Sequence, residues 1–592
     1  MKMQWTGFAL LLACDGAPPE LRPDGGADGY VAPIEAGADA GADVGPPDGG
    51  PLGTQPLVVR ACPGSPECPS GEDVGIRAGA TNRPIAPTAF ETMLVDVDGD
   101  GRYEPDEGDT FEDLDGDGTF DGVWMAGFGN ARPAAAVHGE NPPLANALCL
   151  ENGDTRLAIV VVDVVGLFSD EVELIREEVR ELDATLDYVL VAATHDHEAP
   201  DTVGVWGESV GRTGYDEDYM GYLRAQSARV VADACDALED ANVENASFFL
   251  RSVDVSSDDG IQLDVQRYVG DLRDPFILDD QVRVLRFVSQ DGMRTISTLV
   301  NFAMHAEYEG ASNSVISADV VGWLRLAVEN GVLGPAGVMK PGVGGTAVFI
   351  NGALGVQIGP NHIRPATWDG EPTPEANRRA RVVGEQLGYH VLTALDTPTE
   401  TVDSVPVGFR AAHLLVPVDN GRYHLAFAAG LFGRRALYEF DELRGLRPGN
   451  VPHLRTEIAV LDIGRAQMIA TPGELDPILF VGVDNDRAFT PPGVDVVDLS
   501  RPNPPDLSLA PRSGHLLEHA REDARTADDV WLLGCANDFL GYFIPPWDWQ
   551  LAARPYWEEA EGAHYEETNA LAPTTWPEIE RLTRELLAWE AP

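Results

Sequence analysis

Four apolar, largely β-branched stretches run along this chain, and each ends on side chains able to bind a metal or move a proton. Tyr188-Val-Leu-Val-Ala-Ala leads into Thr194-His-Asp-His197, and Thr295-Ile-Ser-Thr-Leu-Val-Asn-Phe-Ala-Met leads into His305. Gln467-Met-Ile-Ala-Thr leads into Pro472-Gly473-Glu474, and Asp529-Val-Trp-Leu-Leu-Gly-Cys-Ala leads into Asn537-Asp538 and then Tyr542. Short continuous apolar runs of this kind suit strands buried on both faces. In an open α/β sheet, ligands bind beyond the carboxyl ends of strands, so residues far apart in sequence can meet there.

The segments between these runs predict strand and helix in alternation. Arg156 to Phe168 reads as a buried strand. Ser169 to Leu182 reads as an amphipathic helix, with Val172, Ile175, Val179 and Leu182 at three- and four-residue steps. Asp170 and Glu173 have the spacing of a capping box at its start. The strand ending at His195 then completes a βαβ unit with a right-handed crossover. Thr373 to Leu395 opens with Pro374 and predicts another helix. Between Thr401 and Ile463 the alternation in Val405-Pro-Val-Gly-Phe and Glu457-Ile-Ala-Val-Leu predicts antiparallel strands. The expected fold is therefore α/β: a mixed β-sheet catalytic domain with helices and an additional β-rich portion, preceded by a disordered tether.

The amino terminus sets the expected location. Lys2 precedes an apolar run, Trp5 to Ala13, that is too short to span a bilayer and fits a secretory signal. Ala13 directly before Cys14 resembles a bacterial lipoprotein signal, so residues 1–14 are expected to be a signal peptide and Cys14 the lipidation site. The alternative is an ordinary cleaved signal; both predict export, to the bacterial cell envelope or beyond it. Residues 15–71 form a low-complexity acidic linker, rich in Gly, Ala, Asp and Pro as far as about Pro56, with too little apolar surface to offset its ordering entropy. Residues 72–592 form the expected catalytic domain. No later stretch is long and apolar enough to span a membrane, so membrane association is expected through the lipid anchor alone. Export also makes a small-loop disulfide between Cys62 and Cys68 an expectation, while Cys149, Cys235 and Cys535 read as buried thiols.

Composition narrows the partners. The 592 residues are 44% hydrophobic, enough for a large core of two packed lobes, and the formal net charge of −56 argues against nucleic acid and against adsorption to anionic headgroups. About a fifth of that charge lies in an Asp-rich insertion at 92–123. Asp96, Asp98, Asp100 and Glu107 match the calcium-loop pattern D-x-D-x-D-G with an acidic twelfth place, and Glu104 adds a further carboxylate. A second copy, Asp113, Asp115, Asp117 and Asp121, follows at once but has Trp124 at the twelfth place. Pro105 and the glycines interrupt any flanking helix, so the prediction is calcium-stiffened loops and not a calcium sensor.

Taken in order, Ala193-Thr-His-Asp-His-Glu-Ala-Pro200, Asn301-Phe-Ala-Met-His305, Ser317-Ala-Asp319, Pro472-Gly-Glu474, Ala536-Asn-Asp-Phe-Leu-Gly-Tyr542 and His564-Tyr-Glu-Glu-Thr-Asn-Ala-Leu-Ala-Pro573 resemble the neutral ceramidases, zinc amidases of N-acyl sphingosines. The resemblance covers most of the chain from about Val74. It implies zinc held by His195, His305, Glu474 and Tyr542, with His197 and Tyr565 as catalytic residues: His197 a proton carrier or oxyanion partner, Tyr565 a donor to the developing oxyanion. The set suits a catalytic site, since structural zinc favours closed Cys-rich shells and the chain has no paired CxxC. Zinc lowers the pKa of water toward about 7, which supplies a nucleophile for an amide carbonyl. Asp163 and Asp196 are candidate acceptors that would orient ligand imidazoles.

The chain also departs from that family. Asp196 and Glu198 add negative charges where ceramidases carry none. Phe349-Ile-Asn-Gly-Ala-Leu-Gly-Val-Gln-Ile-Gly-Pro360 lacks the family's Gly-Asp-x-Ser-Pro continuation. With few residues after Leu587, the chain is expected to lack the family's immunoglobulin-like domain. Two alternatives thus stand beside a ceramide-like amidase: a zinc hydrolase of another amide or ester, and a calcium-dependent surface-binding lipoprotein.

Overall fold

A computed structural model describes residues 58–590 except 66–67, 69–72, 253–264, 360–362, 374, 434, 448, 485, 512–513, 524–528 and 552–563. The signal peptide, Cys14 and nearly all of the linker lie outside the described residues, as does Pro374.

Two twisted sheets face each other. The larger contains β2 (Arg77–Pro84), β3 (Leu144–Asn152), β4 (Thr155–Val162), β5 (Tyr188–Ala193), β6 (Glu239–Phe249), β7 (Gln281–Ser289), β8 (Thr295–Phe302) and β9 (Thr346–Asn351), in the order β9-β8-β7-β6-β2-β3-β4-β5, with β10 (Glu400–Val402) also on β6. The pairs β4/β5 and β8/β9 are parallel and the centre is antiparallel, so the sheet is mixed. The smaller sheet orders β1 (Arg60–Cys62), β11 (Val407–Pro417), β12 (His453–Ile463), β13 (Ala466–Ala470) and β15 (Asp529–Leu533) side by side. In the chain β13 is followed by β14 (Glu474–Leu475), which pairs in parallel with β16 (Tyr542–Phe543) as a separate two-stranded ladder.

The alternation of side chains explains why the apolar runs are continuous. In β5, Leu190 and Ala192 join the core between the sheets, with Ile159, Leu299, Ile350, Met468 and Trp531. Val189, Val191 and Ala193 point the other way, into the layer made with α1 (Ser169–Leu182) and α2 (Glu217–Asp236). Helices α3 (Asp319–Asn330) and α4 (Ala376–Leu395) cover the β7–β9 half of that outer face. Helix α5 (Thr575–Leu587) covers the outside of the smaller sheet. The result is a helix, sheet, sheet, helix sandwich in which strands are buried on both faces. No helix among the described residues is long and apolar enough to cross a membrane.

Helix α1 and the βαβ unit lie where the periodicity places them, but three details differ. The strand before α1 ends at Val162, and Asp163 to Phe168 form a buried bend that leads into the helix. No capping box forms: Phe168 is the N-cap without a side-chain bond, and the Asp170 carboxylate instead accepts from the backbone N–H of Ala436 at 3.0 Å. Cys149 and Cys235 are paired in a disulfide that ties β3 to α2, while Cys62 and Cys68 are bonded as expected and Cys535 is free.

One buried polar node joins the sheets. Glu457 on β12 accepts from Arg176 Nη2 at 2.7 Å, Tyr188 Oη at 2.7 Å and Arg60 Nη2 at 2.5 Å. Arg176 also reaches the Asn537 side chain at 3.0 Å. Burial opposes the Glu457 charge, but Arg176 and then Arg60 outweigh it and hold the carboxyl at about 2. A depressed pKa contributes stability that is complete above the unfolded value of about 4.3 and is lost as pH falls toward the folded one. Glu457→Gln should cost about 1.5–3 kcal/mol at neutral pH, because it removes the charge-assisted hydrogen bonds of buried Arg176 and leaves the more exposed Glu173, at 2.6 Å, as its remaining carboxylate partner. Denaturant unfolding at pH 7 and pH 3 checks this: the variant should lose less stability than wild type between those two values, and parallel losses would dismiss the node.

Candidate metal centre

The site lies where strands β5, β8 and β13 end. After Ala193 the chain keeps bonding to the turn that leaves β4, Thr194 N–H to Val162 O and Asp196 N–H to Val164 O, both at 3.0 Å. This forces His195 to φ 61°, a left-handed conformation uncommon and strained outside glycine. His195 Nδ1 donates to Val165 O at 2.7 Å. His305 Nδ1 donates to Gln357 O at 3.1 Å. The two loops are joined by a bridge between Asp196 and Ala306, with His197 N–H on Ala306 O at 2.9 Å.

Glu474 arrives from the other sheet. In the β14/β16 ladder it is the direct partner of Tyr542. Gly473 permits the approach, since a Cβ there would lie 2.5 Å from Gly541 O. Glu474 Oε2 sits 3.3 Å from His195 Nε2 and 3.2 Å from His305 Nε2, and His197 Nε2 is 3.1 Å from His195 Nε2. With both Nδ1 protons committed to carbonyls, the Nε2 atoms of His195 and His305 present lone pairs, and buried Glu474 Oε2 receives no hydrogen bond. Burial and the neighbouring imidazole keep His305 below the ordinary histidine range, and His197 is held further below it by burial, His195, His305 and Arg132. Neutral imidazole nitrogens and one carboxylate oxygen crowded around a point fit a divalent cation, and this N/O donor set suits zinc.

Two phenols complete the site. Tyr542 Oη lies 3.3 Å from Tyr565 Oη, the rings meeting edge to face. Burial and the Glu474 charge push the Tyr542 hydroxyl well above its usual range; burial and Glu566 do the same to Tyr565. Both therefore stay protonated and can donate. All six residues singled out by motif, His195, His197, His305, Glu474, Tyr542 and Tyr565, thus belong to one neighbourhood.

The acids expected to orient the imidazoles do other work. Asp163 is held by Arg325 at 2.8 and 2.6 Å and by the Leu144 N–H at 2.8 Å. Asp196 caps the Glu198 N–H at 2.9 Å, and burial followed by Asp319 and Asp163 raises its carboxyl well above the usual range. Backbone carbonyls take the imidazole role instead. Glu198 turns from the centre toward Arg132, Asn313 Nδ2 at 2.8 Å and Gly310 N–H at 2.9 Å, so the extra charges of this loop are neutralised or paired beside the site. Its carboxyl is pushed up to about 7 by burial, with Arg132 opposing.

The Asp-rich insertion forms two tight loops without flanking α-helices. Oxygens of Asp96, Asp98 and Asp100 lie within 4.8 Å of one another, as do those of Asp98, Glu104 and Glu107. The same holds for Asp113, Asp115 and Glu91. Glu91, which the loop pattern does not include, reaches the second loop from upstream and accepts from the N–H groups of Leu114 at 2.6 Å and Asp121 at 2.9 Å. It brings a carboxylate to the loop that has Trp124 at its twelfth place. Asp117 accepts from Thr119 N–H at 2.6 Å.

No protein-family model and no curated protein matches the chain. Among solved structures it is similar to a neutral ceramidase from Pseudomonas aeruginosa, with a TM-score of 0.56 at 14% identity over 87% of this chain and 74% of that one. A ceramidase complexed with C2 is similar with a TM-score of 0.56 at 15% identity, over 87% and 75%. At this identity the likeness establishes a ceramidase-like fold.

Proposed function

We propose that this chain is an exported zinc-dependent hydrolase that cleaves the amide bond of ceramide-like N-acyl lipids. The observation that carries the reading is the convergence of His195 Nε2, His305 Nε2 and Glu474 Oε2, each within 3.3 Å of another, from three strand ends on two sheets. The ordered motifs and the ceramidase-like fold supply the substrate class.

In this reading His195, His305, Glu474 and Tyr542 hold the metal. Zinc bound there supplies Lewis acidity and lowers the pKa of water toward about 7. The chain's own groups do the rest. The carbonyls of Val165 and Gln357 fix the imidazole tautomers. Neutral His197, partly open to solvent, takes up a proton during attack and returns it to the departing amine at Nε2. The Tyr565 hydroxyl donates to the developing oxyanion. Calcium in the loops of Asp96 and Asp113, and an acyl anchor on Cys14, complete the reading as an envelope lipoprotein that meets its substrate at a lipid surface.

A second reading keeps the chemistry and changes the substrate. The segment Phe349–Pro360 has no serine, so an anchor for a ceramide headgroup is missing there, and another amide or an ester would then be the substrate. Hydrolysis of a fluorogenic N-acyl sphingosine compared with a simple acyl ester decides between them. Turnover of the sphingosine amide, abolished by chelation and restored by zinc, is the expected result; turnover of the ester alone would favour the second reading, and chelator-insensitive turnover would remove both.

A further inference from the structure

We infer that Glu307 is a positioning residue for His197, holding the imidazole by a hydrogen bond at Nδ1 so that Nε2 stays turned toward His195 and His305. The inference rests on the reading of His197 as the proton carrier.

His195 and His305 each tie Nδ1 to a backbone carbonyl; His197 has none. Its Nδ1 is buried and without a hydrogen-bond partner, and so is Glu307 Oε1. The other oxygen of that carboxylate, Glu307 Oε2, lies 3.9 Å from His197 Nδ1, and the Glu307 residue is only 2% exposed. A gap of 3.9 Å is longer than a hydrogen bond, but a small rotation of either side chain closes it, and leaving the buried Nδ1 unsatisfied is the costlier alternative. The backbone enforces the pairing: His197 N–H bonds to Ala306 O at 2.9 Å, which sets Glu307 beside the ring.

The surroundings leave His197 few other choices. On another side of the ring is Gly127, where a Cβ would stand 2.4 Å from Nδ1 in a backbone at φ 72°. Phe128 packs edge-on against the imidazole at 5.4 Å. Two acids of the same neighbourhood are engaged elsewhere: Glu198 with Arg132, and Asp319 with the N–H groups of Tyr308, Glu309 and Val320. Glu307 therefore does for His197 what the Val165 and Gln357 carbonyls do for its neighbours.

Two variants test this, Glu307→Leu and Glu307→Gln. The leucine variant should lower kcat about 10–100-fold with KM within about twofold, while zinc content stays at the wild-type level. Glutamine, which retains a hydrogen-bonding group at the same reach, should restore most of the rate. A second readout needs no turnover: crystal structures of metal-free protein should show Nδ1 and Glu307 within about 3.2 Å in wild type, one ring orientation in Glu307→Gln, and a rotated or split ring in Glu307→Leu. Wild-type kcat in Glu307→Leu, or an unmoved ring in that variant, would overturn the proposal. Should His197→Ala itself leave kcat unchanged, the proton-carrier reading fails, and the ring orientations still decide whether Glu307 holds the imidazole.

Discussion

His305→Ala should yield a folded protein that no longer retains zinc and hydrolyses N-acyl sphingosine at least about 10³-fold more slowly in kcat/KM. The size follows from what the substitution removes. His305 Nε2 lies 3.2 Å from Glu474 Oε2, and its Nδ1 is fixed by Gln357 O, so the nitrogen is preorganised for the ion. His195→Ala should behave alike, and Glu474→Gln should weaken zinc retention by removing the only charge in the donor set. Elemental analysis beside rate measurement separates the outcomes. Variants that lose zinc yet keep activity would mean that the chemistry occurs elsewhere, and variants that keep both would mean that these side chains are ordinary core polar groups.

Replacing Cys149 and Cys235 together by serine should destabilise the chain by about 4–5 kcal/mol, since the bond closes a loop with a sequence separation of 86 residues. Chain entropy gives the Cys62–Cys68 bond, with a separation of 6, about half that effect. The larger bond pins α2 to β3 within the layer that includes Val191 and Ala193, immediately before the histidine turn. Its loss should therefore lower the thermal midpoint and loosen the site, with reduction of wild type reproducing the double variant. An unchanged midpoint after reduction would show that helix packing alone secures this layer.

The site was legible in sequence to the extent that it depends on strand ends. An apolar run stopping at a histidine or a Gly-Glu turn is a local pattern, and sheet topology converts several such patterns into one place. Helix α1 was legible for the same reason, because three of its four apolar positions, Val172, Ile175 and Val179, face one core, while Leu182 at its end is exposed. What sequence did not reveal were contacts set by tertiary packing. Carbonyls of Val165 and Gln357 orient the imidazoles, and nothing about those two residues marks them, since every residue has a carbonyl. Asp163 looked suited to that role until Arg325, far along the chain, claimed it. Cys149 and Cys235 sit in apolar runs that read as core, and only the packing of α2 on β3 brings their sulfurs together. Glu91 and Glu307 were missed because one precedes its loop pattern and the other follows its motif histidine; Glu307, two residues beyond His305, was the easier to find.

Crystals soaked in zinc and measured across the zinc absorption edge address the central claim most directly. One anomalous peak is predicted, about 2.0–2.2 Å from His195 Nε2, His305 Nε2 and a Glu474 carboxylate oxygen, with the Tyr542 hydroxyl beside it. A peak at any other group of side chains, with this one left empty at saturating zinc, would contradict the account.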